Sequence, residues 1–89
     1  MSAAGEPEPT FQALLLQLAT QVMIDLGEIP NPFTQRAVTD LRRARRGIGL
    51  LRMLEEKTEG NLDEAEERAM ANLLAEIDEK WAEKGGEDD

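Results

Sequence analysis

Four arginines within five positions, Arg42, Arg43, Arg45 and Arg46, are the densest concentration of one chemistry in this chain. Guanidinium groups recognise carboxylate and phosphate, so the cluster is either a grip for an anionic partner or a solvated helix face. At about 100° per residue the four fan around a helix rather than line one face, which dilutes a phosphate-binding patch. No aromatic stacking platform accompanies them, because the aromatics are only Phe11, Phe33 and Trp81. The net charge of −9 also opposes polyanions. The expectation is a helix face whose charge is answered elsewhere in the chain or by a protein partner. Nucleic-acid binding ranks below it.

The second candidate is a set of carboxylates. Glu76, Glu79 and Glu83 recur on one side of a helix. Without loop carbonyls or histidine partners such a set binds Mg²⁺ or Ca²⁺ only weakly. A solvated acidic face is expected, and no metal or cofactor is assigned. Histidine, cysteine and tyrosine are absent, and the single serine is Ser2. That removes disulfides, thiolate or imidazole zinc sites, Ser and Cys nucleophiles, and an imidazole base. No phosphate-binding glycine loop appears. The chain is expected not to be an enzyme.

Three helical segments must position these groups. Residues 1–9, rich in Pro, Glu and small residues, read as a disordered lead-in, and residues 10–84 as one helical domain. Thr10 is the expected N-cap of the first helix and Gly27 its stop. Between them Phe11, Leu14, Leu15, Leu16, Leu18, Ala19, Val22, Met23 and Leu26 sweep half the circumference, wider than an ordinary surface stripe. This helix is expected to touch neighbours on two sides and keep apolar surface to spare. Pro30 and Pro32 then break the chain, and at least one of Ile29 and Phe33 is expected to anchor the loop to the core.

The second helix is expected from near Thr39 to about Thr58, with Leu41, Ala44, Ile48, Leu51 and Leu54 on one face and most of the arginines on the other. Gly47 and Gly49 each cost about 1 kcal/mol against Ala in a helix interior. Gly47 projects to the apolar side, where it permits close helix approach; Gly49 projects to solvent, without evident cause. Gly60 ends this helix, and Asp63 with Glu66 has the spacing of a capping box. A third helix follows to roughly Lys84, with Met70, Leu73, Leu74, Ile77 and Trp81 as its stripe. Trp81, Met23, Met53 and Met70 are expected to pack in the core. Residues 85–89 read as a frayed acidic tail. The fold class is all-α: three helices, the second and third forming an antiparallel hairpin.

Charge is segregated along this plan. Residues 1–33 hold four acids and no base, residues 34–57 seven bases and three acids, and residues 58–89 three bases and twelve acids. A hairpin is expected to bring the arginines near Glu76, Glu79 and Glu83. A chain of 89 residues buries a modest core and often needs reinforcement. Lacking disulfides and zinc, it is expected to find this in another subunit. The expected partner is a second copy, in a dimer that uses Phe11, Leu14, Leu15, Leu18 and Val22 of the first helix. A different protein docking on Arg42, Arg43, Arg45 and Arg46 comes next, then an accessory role on RNA through the same arginines. No bilayer role is expected, because the Phe11–Leu26 run is too short and too polar to span hydrocarbon. The expected location is cytoplasmic.

Three stretches, "LATQVMIDLGEIPNP" (18–32), "LLRMLEEKTEGNL" (50–62) and "DEAEE" (63–67), resemble the bacterial family called domain of unknown function 1844. The resemblance covers about residues 10 to 81, and its most specific parts are the turn at Gly27-Glu28-Ile29-Pro30 and the run through Glu56-Lys57-Thr58 and Gly60-Asn61-Leu62. It implies a small helical cytosolic bacterial protein and carries over no activity, cofactor or catalytic residue. The chain departs from the family pattern in its second helix. Members tend to have an acidic residue where Gly49 stands, and fewer arginines before it.

Overall fold

A hydroxyl opens the first helix where expected: Thr10 Oγ1 accepts the Ala13 N–H at 3.0 Å. The computed structural model describes residues 9–86 and contains α1 (Phe11–Asp25), α2 (Leu41–Lys57) and α3 (Glu64–Glu83). Most of the expected lead-in (residues 1–8) and the end of the expected tail (87–89) lie outside the described residues. The fold is all-α, as the periodicities predict.

Gly27 ends α1 with φ +79°. Its N–H donates to Ile24 O and that of Glu28 to Met23 O, both at 3.0 Å. These two bonds satisfy carbonyls that the helix end would orphan. A Cβ at Gly27 would lie 2.5 Å from Thr39 Oγ1, so the position is closed to larger residues on two counts. The end of α3 repeats the motif. Gly85 N–H reaches Ala82 O at 3.1 Å and Gly86 N–H reaches Trp81 O at 2.8 Å. Gly85 and Gly86 therefore close α3 rather than fray, with Gly86 packed against the Trp81 ring.

Asp40, one residue past Thr39, caps α2 by accepting the Arg43 N–H at 3.2 Å. Asp63 and Glu66 form the expected capping box on α3: Asp63 Oδ1 accepts the Glu66 N–H at 2.8 Å, and Glu66 Oε1 accepts the Asp63 N–H at 2.9 Å.

The core is a single cluster. α1 contributes Leu15, Ala19 and Val22, with Leu26 just beyond its end; α2 contributes Ala44 and Leu51; α3 contributes Met70, Leu74, Ile77 and Trp81. α1 packs on both other helices and most extensively on α2, so its wide apolar sweep does serve two neighbours. Gly47 makes the α1–α2 contact close, since a Cβ there would meet Val22 Cγ2 at 2.6 Å. α2 and α3 touch each other least. The Arg52–Asp78 ion pair ties them, and Arg52 also lines a concavity with Glu59, Leu62 and Glu67 beside the turn.

The loop between α1 and α2 corrects one expectation. Neither apolar residue anchors it: Ile29 is 37% exposed and Phe33 94%. Polar bonds hold the loop instead. Asp40 N–H donates to Asp25 O at 2.7 Å, and Thr39 Oγ1 donates to Leu26 O at 3.3 Å. Asn31 Oδ1 accepts the N–H groups of Phe33 and Thr34 at 2.8 and 3.2 Å, a side-chain turn of the kind Asn favours. Glu28 carries the loop across to α3, with its carboxylate 3.2 Å from Lys84 Nζ and 3.7 Å from Lys80 Nζ. The hydrogen bond from Lys84, with the charge of Lys80 beside it, holds the Glu28 carboxyl below its ordinary 4.5, against the opposing effect of burial. Glu83 and then Glu28 raise Lys80 above its ordinary 10.5.

Candidate interaction surface

Helical periodicity sends α1 residues 15, 19 and 22 inward, and this decides which of the five predicted contact residues remain available. Leu15 and Val22 are core residues of the single chain, Val22 against Gly47. Phe11 and Leu18 are partly buried against the same core. Leu14, about 100° from Leu15 around the helix, stays 42% exposed. Of the five predicted residues, Leu14 is therefore the most open.

α2 adds open apolar residues of its own. Leu50 is 48% exposed and Met53 45%. Met53 is expected in the core; it falls about 160° from Leu51 and about 180° from Ala44 around α2, which puts it outside. Gly49, on the same outward side, has nothing within 4 Å of where its Cβ would stand. Sequence reading missed Leu50 and Met53 as surface residues. The available signal was that both fall between arginines when α2 is drawn as a wheel.

The arginines do not fan as evenly as expected. Arg42, Arg43 and Arg46 line one concavity of about 590 Å³ at the α1–α2 junction, with Gln21, Asp25, Asp40, Gly47 and Leu50. None of these three arginines forms an ion pair among the described residues. Arg45 does not line the concavity and has an interaction of its own. The two carboxylates there are engaged: Asp40 caps α2, and buried Asp25 accepts from Gln21 Nε2 at 3.3 Å. The first turn of α2 holds no acid and two arginines. Positive charge there opposes the helix macrodipole, which favours anions at an N-terminus.

The expected meeting of these arginines with Glu76, Glu79 and Glu83 does not occur. The α2–α3 ion pair is Arg52–Asp78, and Glu83 pairs with Lys80 of its own helix at 3.7 Å. The reason is angular: Arg42, Arg43 and Arg46 sit toward α1 and solvent, whereas Arg52 sits toward α3. Glu76 and Glu79 are exposed and form no ion pair among the described residues. Among those residues no three acidic side chains are grouped to hold a metal ion. No described helix is long and apolar enough to cross a membrane.

The exposed side chains of this helix pair offer contact chemistry: Leu14, Leu50 and Met53 are apolar, and Arg42, Arg43 and Arg46 have no ion-pair partner among the described residues. The turns quoted for the family resemblance are here the cap at Gly27 with its Glu28 tie, and the α2–α3 connection. No curated protein and no solved structure matches the chain. The model of the domain of unknown function 1844 matches residues 8–83, and the chain belongs to that family.

Proposed function

We propose that this is a non-enzymatic, cytoplasmic helical interaction protein that self-associates as a dimer through the apolar surface left open on α1 and α2. The observation that supports this reading is the exposure of Leu14, Leu50 and Met53, each close to half, around one helix pair. The shape agrees with it. The chain measures 38 × 33 × 16 Å, with a radius of gyration of 14.0 Å. A compact chain of this length has roughly 12 Å. Sixteen ångströms is two helix layers, so no helix is enclosed on all sides. Light scattering at about 0.05 M and about 0.5 M salt tests it: a dimer is expected, and Leu50→Glu is expected to yield monomers. A native chain that is monomeric at every concentration sinks the reading.

The convergence of Arg42, Arg43 and Arg46 on one concavity favours a second reading, an accessory factor that grips RNA phosphates. Its mark is affinity for single-stranded RNA that falls steeply as salt rises. Binding retained after reversal of Arg42, Arg43, Arg45 and Arg46 to Glu rules it out.

A further inference from the structure

α2 and α3 carry matching stripes that they do not use on each other. Arg42, Arg46, Gly49 and Met53 succeed one another at intervals of four, three and four residues along the outer face of α2. Asn72, Glu76, Glu79 and Glu83 do so at the same intervals along the outer face of α3. All eight are exposed. Each stripe runs over twelve residues, eleven rises, or about 16 Å of helix. The order 4-3-4 reads the same from both ends, so the stripes stay in register when the helices run antiparallel.

We propose that the occupant of the α2 face is the acidic face of α3 in a second copy of this chain. In antiparallel register Arg42 meets Glu83, Arg46 meets Glu79, Gly49 lies under Glu76, and Met53 lies beside Asn72 and the exposed Ala71 and Ala75. A two-fold axis lets each copy give this contact once and receive it once. The inference rests on the self-association reading and names the surface that fills it.

Three observations favour this occupant. The charges are complementary, and within the single chain Arg42, Arg46, Glu76 and Glu79 have no ion-pair partner among the described residues. Both charge sets also oppose their own helix. Arg42 stands in the first turn of α2, at its positive end, and Glu83 in the last turn of α3, at its negative end, where its ion-pair partner is Lys80 of the same helix. Finally, Gly49 is a helix-interior glycine with open space at its Cβ position. Nothing inside the chain requires it, whereas a helix laid across that face leaves room for little else.

The experiment is a charge exchange on the full chain, with mass and dissociation constant read by light scattering and sedimentation. Arg42→Glu with Arg46→Glu, and separately Glu79→Arg with Glu83→Arg, are each expected to raise the dimer dissociation constant at least about tenfold. The chain carrying all four substitutions is expected to return to within about threefold of native. Each exchange places the charge that its helix end prefers, so folding is retained and circular dichroism checks it. A dimer unchanged by either exchange, yet lost in Leu50→Glu, overturns the α3 docking and leaves the apolar self-association standing. A dimer weakened by either exchange but not restored in the fourfold chain also overturns the docking. A native monomer at all concentrations overturns both.

Discussion

Two glycines two positions apart in α2 have opposite environments, and their substitution separates two effects that propensity scales merge. Alanine at either position gains about 1 kcal/mol of intrinsic helix preference. At Gly49 the new methyl meets nothing, so Gly49→Ala is expected to raise the unfolding free energy of the monomer by about that amount. At Gly47 the methyl lies 2.6 Å from Val22 Cγ2. Overpacking of that kind costs about 1–3 kcal/mol, so Gly47→Ala is expected to be neutral to destabilising. Urea unfolding of both variants, with the slope held constant, checks the contrast. The side to which each glycine projects was legible from the wheel alone. The 2.6 Å approach was not, because a pattern of residue types specifies a face but no distance. Phe33 shows the same limit from the other direction. Its type predicts burial, yet the Asn31 turn holds the backbone through polar bonds and leaves the ring outside. Phe33→Ser is therefore expected to shift stability by no more than about 0.5 kcal/mol.

Among the helices, boundaries were the most legible feature because caps are local chemistry. Thr10, Gly27 and the Asp63–Glu66 box act where their spacing places them, and Asp40 replaces Thr39 by a single residue. Loss of the α3 cap in Asp63→Ala is expected to cost about 1 kcal/mol. Leu51 lies at the centre of the α2 face and is fully buried. Leu51→Ala is expected to cost about 2–5 kcal/mol, a large fraction of what so small a domain has. Calorimetric midpoints of the two variants order them. Pairing between helices was less legible. The charge pattern points to a tight α2–α3 hairpin, whereas shape complementarity at Gly47 makes α1–α2 the broader contact. Exposed ion pairs contribute little each, so apolar fit decides which helices lie closest, and the arginines are left facing outward. For the same reason the candidate surface was half legible: the arginines stood out by type, but which leucines remain outside depends on where the neighbours pack.

Across the whole molecule, one charged joint ties the α1–α2 loop to the end of α3, and its titration gives the chain a defined pH response. Glu28 leaves the end of α1 and reaches Lys80 and Lys84 near the end of α3. Besides Glu28, the acidic groups acting on Lys80 are Glu83, at 3.7 Å, and Glu79. The Glu28 carboxyl is held below its ordinary 4.5. A carboxyl whose folded value is depressed adds stability above its unfolded value and loses that stability as pH falls through the folded one. Lys80 is raised above 10.5, so its contribution is complete below that value and is lost as pH rises past the elevated one. Between these limits the joint is fully charged and the loop stays fastened to α3. Other carboxylates titrate in the acid window too, so the informative quantity is the difference between native protein and Glu28→Gln. Urea midpoints measured from about pH 7 down to about pH 3 are expected to differ at neutral pH and to converge as Glu28 protonates. Parallel curves through that window would show that the joint contributes no pH dependence. Convergence that starts well above pH 4.5 would place the control in another group.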